Sequence, residues 1–135
     1  MSIKVSHVTK VYGEQRALDD VNFEIQRGHI IGFLGPNGAG KSTMMKIITC
    51  YLPPTEGSVE VCGIDVSASP MEVKKRIGYL PEHNPLYPEM YVREYLEFVA
   101  GVHQIPNKKA RVEEMIDLVG LSVERKKKIG ALSKG

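Results

Sequence analysis

The residues Gly35-Pro36-Asn37-Gly38-Ala39-Gly40-Lys41-Ser42 fit the pattern GxxxxGK[ST] at every fixed position. This octet limits what the chain can fold into more than any other feature. The apolar run Ile30-Ile31-Gly32-Phe33-Leu34 precedes it. A helical pattern follows, from Lys41 to about Cys50, and Pro53-Pro54 ends it. The pattern holds polyphosphate where a buried strand turns through glycines into a helix. The run before it is apolar on successive residues, as a strand covered on both faces is. Gly35, Gly38 and Gly40 admit backbone conformations in which consecutive N–H groups point inward at phosphate oxygens. The helix adds about half a positive charge at its first turn. Lys41 offers a mobile full charge to the β- and γ-phosphates. The Ser42 hydroxyl is a hard ligand for Mg²⁺, and Thr43 is in reach of the α-phosphate. ATP with Mg²⁺ is therefore the expected ligand. A glycine turn that binds nothing is the competing account.

Three patterns divide the chain. Over residues 3–35, Ile3, Val5, Val8 and Val11 suggest one half-buried strand, and Val21, Phe23 and Ile25 alternate with polar residues as another does. Gly13-Glu14-Gln15 reads as the turn between them, and Arg27-Gly28 as a tight turn. After the loop helix, Thr55-Glu56-Gly57 reads as a turn and residues 58–62 as a strand. Ser69-Pro70-Met71-Glu72 reads as a capping box with proline first in the helix, over residues 70–76. Ile77-Gly78-Tyr79-Leu80 looks like a buried strand ending at Pro81. The remainder is helical. Tyr95, Leu96 and Val99 form one stripe, with Phe98 and Val102 beside it. Val112, Met115, Ile116 and Val119 form a second, begun by Asn107 and closed by Gly120-Leu121 as a left-handed cap. The expected division is a β-rich portion with the phosphate-loop core over about residues 1–80, and the start of a helical portion over about 85–135.

Bulk properties exclude several classes. A net charge of +2 is too small to indicate a nucleic-acid binder by itself, and no nucleic-acid partner is expected. No apolar stretch approaches the roughly 20 residues of a bilayer-spanning helix. The opening Met1-Ser2-Ile3-Lys4-Val5 has no apolar leader. Cys50 and Cys62 are too far apart for a CxxC and are expected to be buried free thiols, which suits a reducing cytoplasm. The run Lys126-Lys127-Lys128 is most simply a solvated face.

Phosphate loops serve GTPases and kinases too. A guanine-reading NKxD is missing its aspartate in Asn107-Lys108-Lys109-Ala110. Asp117-Leu118-Val119-Gly120 matches DxxG only as the end of an amphipathic helix. Four features together resemble the ATP-binding cassette family, the ATPase domain of ABC transporters. Tyr12 before Gly13, followed by Ala17-Leu18-Asp19-Asp20-Val21-Asn22-Phe23, resembles the family's aromatic adenine platform and its next strand. A tyrosine face on a purine is worth about 1–3 kcal/mol by analogy with base stacking; a strand-end core aromatic is the plainer account. The loop reads Gly-Pro-Asn-Gly-Ala-Gly-Lys-Ser-Thr, as the family's does. Pro54-Thr55-Glu56-Gly57-Ser58-Val59 with Gly63 resembles its following turn and strand. Leu132-Ser133-Lys134-Gly135 resembles the opening of its signature motif. Ile77-Gly78-Tyr79-Leu80-Pro81-Glu82 with Pro85-Leu86-Tyr87 further resembles ATPases of ABC-2-type exporters, a group that includes gliding-motility subunits.

The resemblance implies an α/β, P-loop NTPase-type core with an N-terminal antiparallel β portion and part of a helical subdomain. It implies an ATP-binding subunit at the inner face of a membrane, closed by ATP onto a second such subunit in a head-to-tail dimer and coupled to an integral membrane permease. Ser133 and Gly135 would touch the partner's nucleotide. Glu82 stands where the family usually has glutamine. It is a candidate sensor and Mg²⁺ ligand, with a solvated surface glutamate as the alternative. The family's Asp-Glu strand and switch histidine lie further along than these residues reach. The stretch is therefore expected to hold phosphates without hydrolysing ATP at a useful rate, and to expose sheet edges and apolar surface that favour self-association. A soluble ABC-class ATPase on ribosomes or DNA, or a non-catalytic nucleotide-binding module, are the alternatives.

Overall fold

The computed structural model describes residues 2–81 and 86–133. They fall into two compact units, residues 1–80 and 81–135.

In the first unit β1 (Ile3–Tyr12) and β2 (Gln15–Ile25) form an antiparallel hairpin, joined by β3 (Glu56–Val61) and β4 (Ile64–Asp65) in the order β2-β1-β3-β4. Strand side chains alternate between faces, so Val5 and Val8, three apart, should lie on opposite faces. Both are buried. The register slips between them, and His7 sits between at φ 52°, taking up an extra residue and returning Val8 to the core. Asp20 does the same on β2, at φ 47°, between buried Leu18 and half-buried Val21. The two irregularities are tied together. His7 Nδ1 bonds the Asp20 carboxylate at 2.8 Å, and the His7 amide donates to Asn22 Oδ1 at 2.7 Å.

Helices α1 (Lys41–Ile48) and α2 (Pro70–Lys74) complete this core. Met44, Ile47 and Val73 are wholly buried with Val8 and Val59. Each such aliphatic side chain contributes about 1.5–3 kcal/mol over an exposed one.

Several expectations need correction. Residues 30–34 form no strand, and Ile30 and Leu34 are 103% and 92% exposed. Residues 77–80 form none either, and Tyr79 and Leu80 are exposed. A strand requires a neighbour for its amides, and among the described residues none pairs with either run. The turn expected at residues 55–57 lies earlier. Thr9 pairs with Glu56, so Glu56 and Gly57 already belong to β3. α2 starts as expected, with Pro70 first, but Ser69 makes no side-chain cap. Its intended partner Glu72 bonds Lys75 at 2.8 Å instead, and Asp65 Oδ1 accepts the Ser67 and Ala68 amides just before the helix. Cys50 is only half-buried, and Cys62, on the β3–β4 turn, is exposed. Burial still pushes the Cys50 thiol up.

The second unit holds α3 (Val92–Val102), α4 (Lys108–Leu118) and a 3-10 turn, Ile129–Ala131. Ala100, Val112 and Ile116 form its core, with Leu96 and Leu121 against them. Asn107 precedes α4 in a left-handed conformation but makes no side-chain cap. Gly120, at φ 74°, ends the helix, and the Leu121 amide donates to Ile116 O at 2.9 Å, a left-handed cap with its apolar contact. Asp117 to Gly120 is thus a helix end. Val119, expected in the apolar stripe, is exposed there. Arg125 holds Glu113 and Asp117, Arg93 holds Glu97 and Glu113, and Lys126, Lys127 and Lys128 face solvent.

Candidate nucleotide-phosphate site

The loop is seated on the hairpin through Gly40. This residue directly precedes α1, at φ 81° and ψ 3°. A Cβ on it would stand 2.5 Å from Ala17 O and 2.6 Å from Leu18 Cδ2. The position therefore demands glycine twice, for its left-handed backbone and for its contact with β2.

α1 closes its first bond from the Met44 amide to Gly40 O at 2.9 Å. No side chain caps its N-terminus, and its first turn carries no acidic residue. The amides of Lys41, Ser42 and Thr43 are the first-turn donors that a helix cannot satisfy by itself. With the helix dipole they form a ready seat for an anion.

Lys41 folds back over the loop. Its Nζ donates to Gly35 O and to Pro36 O, each at 2.7 Å. The Ala39 amide donates to Pro36 O at 3.2 Å and tightens the turn. The ammonium thus lies across the mouth of the loop, bound to neutral carbonyls. Phosphate oxygens carry negative charge and attract the ammonium more strongly than these neutral carbonyls do. Asn37, Gly38 and Ala39 are exposed at the tip, Ser42 is exposed, and Thr43 is half-buried. Among the described residues no group of three His, Cys, Asp or Glu could hold a metal by itself.

Tyr12 lies in the same unit, at the end of β1 opposite Gln15 and 44% exposed. The Lys10 ammonium is 5.4 Å from its ring centroid. Sequence reasoning passed over Lys10, although its i,i+2 spacing from Tyr12 puts the two on one strand face. It also passed over Ala17 and Leu18 as the seat of Gly40, because that contact joins segments over 20 residues apart. Ser133 follows the 3-10 turn of the second unit and is exposed. Glu82 and Gly135 lie outside the described residues.

The family model described as ABC transporter matches residues 18–135. The chain is 36% identical over 136 residues to the bacitracin transport ATP-binding protein BcrA of Bacillus licheniformis, which covers 98% of this chain and 43% of that protein. It is 35% identical to the daunorubicin resistance ATP-binding protein DrrA3 of Streptomyces coeruleorubidus, over 99% of this chain and 43% of that one. Among solved structures, an ATP-binding subunit of an ABC transporter superposes with a TM-score of 0.83 at 26% identity, over 99% of this chain and 57% of that one. A dimeric ATP-binding cassette in a post-hydrolysis state, bound to ADP and Pi, superposes with a TM-score of 0.78 at 30% identity, over 97% and 63%. The chain spans less than half the length of these two curated relatives.

Proposed function

This chain belongs to the ABC transporter ATP-binding family, and from that premise we propose that it is the nucleotide-binding part of an exporter-type ATPase subunit. Gly35, Pro36, Asn37, Gly38, Ala39 and Gly40 would surround the phosphates, Lys41 would neutralise the β- and γ-oxygens, Ser42 would ligate Mg²⁺, and Thr43 would reach the α-phosphate. Tyr12 would stack on adenine. The bound Mg²⁺ would screen the charge of the phosphate oxygens.

The observation that carries this reading is the Lys41 ammonium held at 2.7 Å from two loop carbonyls beside an uncapped helix start. Among the described residues this ammonium forms no ion pair, and it can exchange the two carbonyls for phosphate oxygens. The relatives' printed names concern transport of and resistance to antibiotics, which favours a transport-coupled role over a ribosome- or DNA-associated one. Coupling to a membrane permease, and closure onto a second subunit through Ser133 and Gly135, complete the proposal. No helix among the described residues is long and apolar enough to cross a membrane, so a permease would be a separate chain or segment. The resemblance of the tract from Ile77 through Tyr87 to ABC-2-type exporter ATPases, a group that includes gliding-motility subunits, supports the exporter reading; Glu82 would serve there as sensor and second Mg²⁺ ligand.

Titration with Mg-ATP tests the site. A charge-assisted hydrogen bond is worth about 1.5–3 kcal/mol, so Lys41→Ala should weaken binding roughly 10- to 100-fold. Unchanged affinity would refute the assignment. No apolar run ending in Asp-Glu occurs within the 135 residues. Phosphate release by this stretch should accordingly not exceed that of the Lys41→Ala variant.

A further inference from the structure

We propose that Lys10 is a specificity-determining positioning residue: its ammonium, anchored on the Pro53 carbonyl, holds the Tyr12 ring ready to receive an adenine base. The proposal rests on the reading of Tyr12 and the phosphate loop given above, and extends it to a residue that touches neither phosphate nor base.

Lys10 and Tyr12 stand two apart on β1 and so share a face. Lys10 Nζ donates to Pro53 O at 2.8 Å and lies 5.4 Å from the Tyr12 ring centroid, inside the range of a cation–π contact. The carbonyl fixes the cation, and the cation fixes one face of the ring. The ring remains 44% exposed, which leaves surface for a stacking partner. A tyrosine beside Gly13 at a hairpin end would otherwise lose side-chain freedom on stacking. Ordering it beforehand strengthens binding by removing that loss. A positive charge on one face also draws electron density from the ring, which favours stacking with an electron-rich purine on the other.

The anchor has a second consequence. Pro53 belongs to the turn that follows α1, and that turn is stitched to β1 twice more. The Thr55 amide donates to Thr9 O at 2.9 Å, and the Val11 amide donates to Thr55 Oγ1 at 3.1 Å. The helix whose first turn is the proposed phosphate seat ends at Ile48 and leads within five residues into the segment bonded to the strand end bearing Tyr12. The candidate base platform and phosphate seat are thus joined through these bonds, and Lys10 is the link to the ring.

The test compares Mg-ATP with Mg-tripolyphosphate, which has no base, by calorimetric titration of the full chain. Lys10→Met keeps the aliphatic stem and removes the charge. It should weaken ATP about 2- to 5-fold, the worth of an exposed cation–π contact, with no such loss for tripolyphosphate. Lys10→Arg should restore ATP affinity. In a Tyr12→Ala background, Lys10→Met should have no further effect on ATP. If Lys10→Met does not fold, Lys10→Gln retains a donor for Pro53 and should show the same selective loss. Equal losses for both ligands, full additivity with Tyr12→Ala, or no loss for ATP would each overturn the proposal. A wild-type protein that binds tripolyphosphate as tightly as ATP would instead refute Tyr12 as a base platform, and one that binds neither would refute the phosphate site; the proposal falls in both cases.

Discussion

Strand β2 and the apolar run at residues 30–34 lie a few residues apart and are treated oppositely by the fold. β2 alternates apolar and polar residues, finds its partner across a turn at Gly13-Glu14, and is registered with β1 from Ile3↔Ile25 to Tyr12↔Gln15. Residues 30–34 are more apolar, yet Ile30, Ile31, Phe33 and Leu34 are all exposed. An antiparallel hairpin supplies its own neighbour within a short closed loop. A run apolar on both faces needs neighbours on both sides and a layer above and below, and these come from residues distant in sequence. Phe33 does lean on Phe23 of β2, ring centroids 5.7 Å apart, but one side-chain contact does not make a ladder. Apolar character thus records how deeply a segment can be buried, whereas pairing depends on where its partners lie in the chain.

Substitution tests the contrast most strongly at Met44 and Ile30. Met44 is fully buried beneath the hairpin, so Met44→Ala should lower the unfolding free energy by about 2–5 kcal/mol. Ile30→Ala should change it by no more than about 0.5 kcal/mol. Chemical denaturation measures both. Comparable losses would mean that residues 30–34 are covered in solution, by self-association or another partner, and sedimentation would tell which. Next in size is Gly40, where the loop leaves the unpaired run and rests on β2. Gly40→Ala must open a contact of 2.5 Å with Ala17 O and keep a left-handed backbone, and should destabilise the unit by about 1–3 kcal/mol. Gly38→Ala meets nothing within 4 Å and retains only the backbone strain of φ 85°; its loss should be smaller, about 1–2 kcal/mol. Equal losses would place the loop away from β2.

The same contrast explains what could be read from the sequence. β1, β2, both long helices, the Gly120 cap and the loop at residues 35–43 are local patterns with local causes, and each was legible. The bulges at His7 and Asp20 were half legible: the spacing of Val5 and Val8 breaks strand parity, but only the fold shows which residue absorbs it. The unmade box at Ser69 was not legible, since the Asp65 carbonyl takes the Ser69 amide and Lys75 takes the Glu72 carboxylate. The unpaired runs at residues 30–34 and 77–80 were misread because their character is that of buried strands, and no pattern within a segment names its neighbour. At the candidate site, the residues proposed to hold phosphate, Gly35 to Thr43, are contiguous in sequence and could be named without the fold. Lys10 emerged only when the fold brought Pro53 to β1.

The smallest expected effect concerns how the hairpin secures its closure. Asp20 accepts a hydrogen bond from the His7 ring, with help from Asn22, and this holds its carboxyl below the usual carboxylate range. A carboxyl whose pKa is lower folded than unfolded contributes stability that is present above the ordinary carboxylate pKa, about 3.9, and is lost as pH falls through the lowered value. Asp20→Asn removes the charge while keeping an acceptor and a residue tolerant of φ 47°. The wild type should therefore melt slightly higher than Asp20→Asn at neutral pH, and the lead should shrink as pH drops below about 4. Both partners are largely exposed, 79% and 66% at the side chain, so salt should shrink the lead as well. The absence of any lead at neutral pH would show that the paired bulges are held by the backbone ladder alone. The hairpin would then owe its order entirely to its strand partners, the one thing residues 30–34 lack among the described residues.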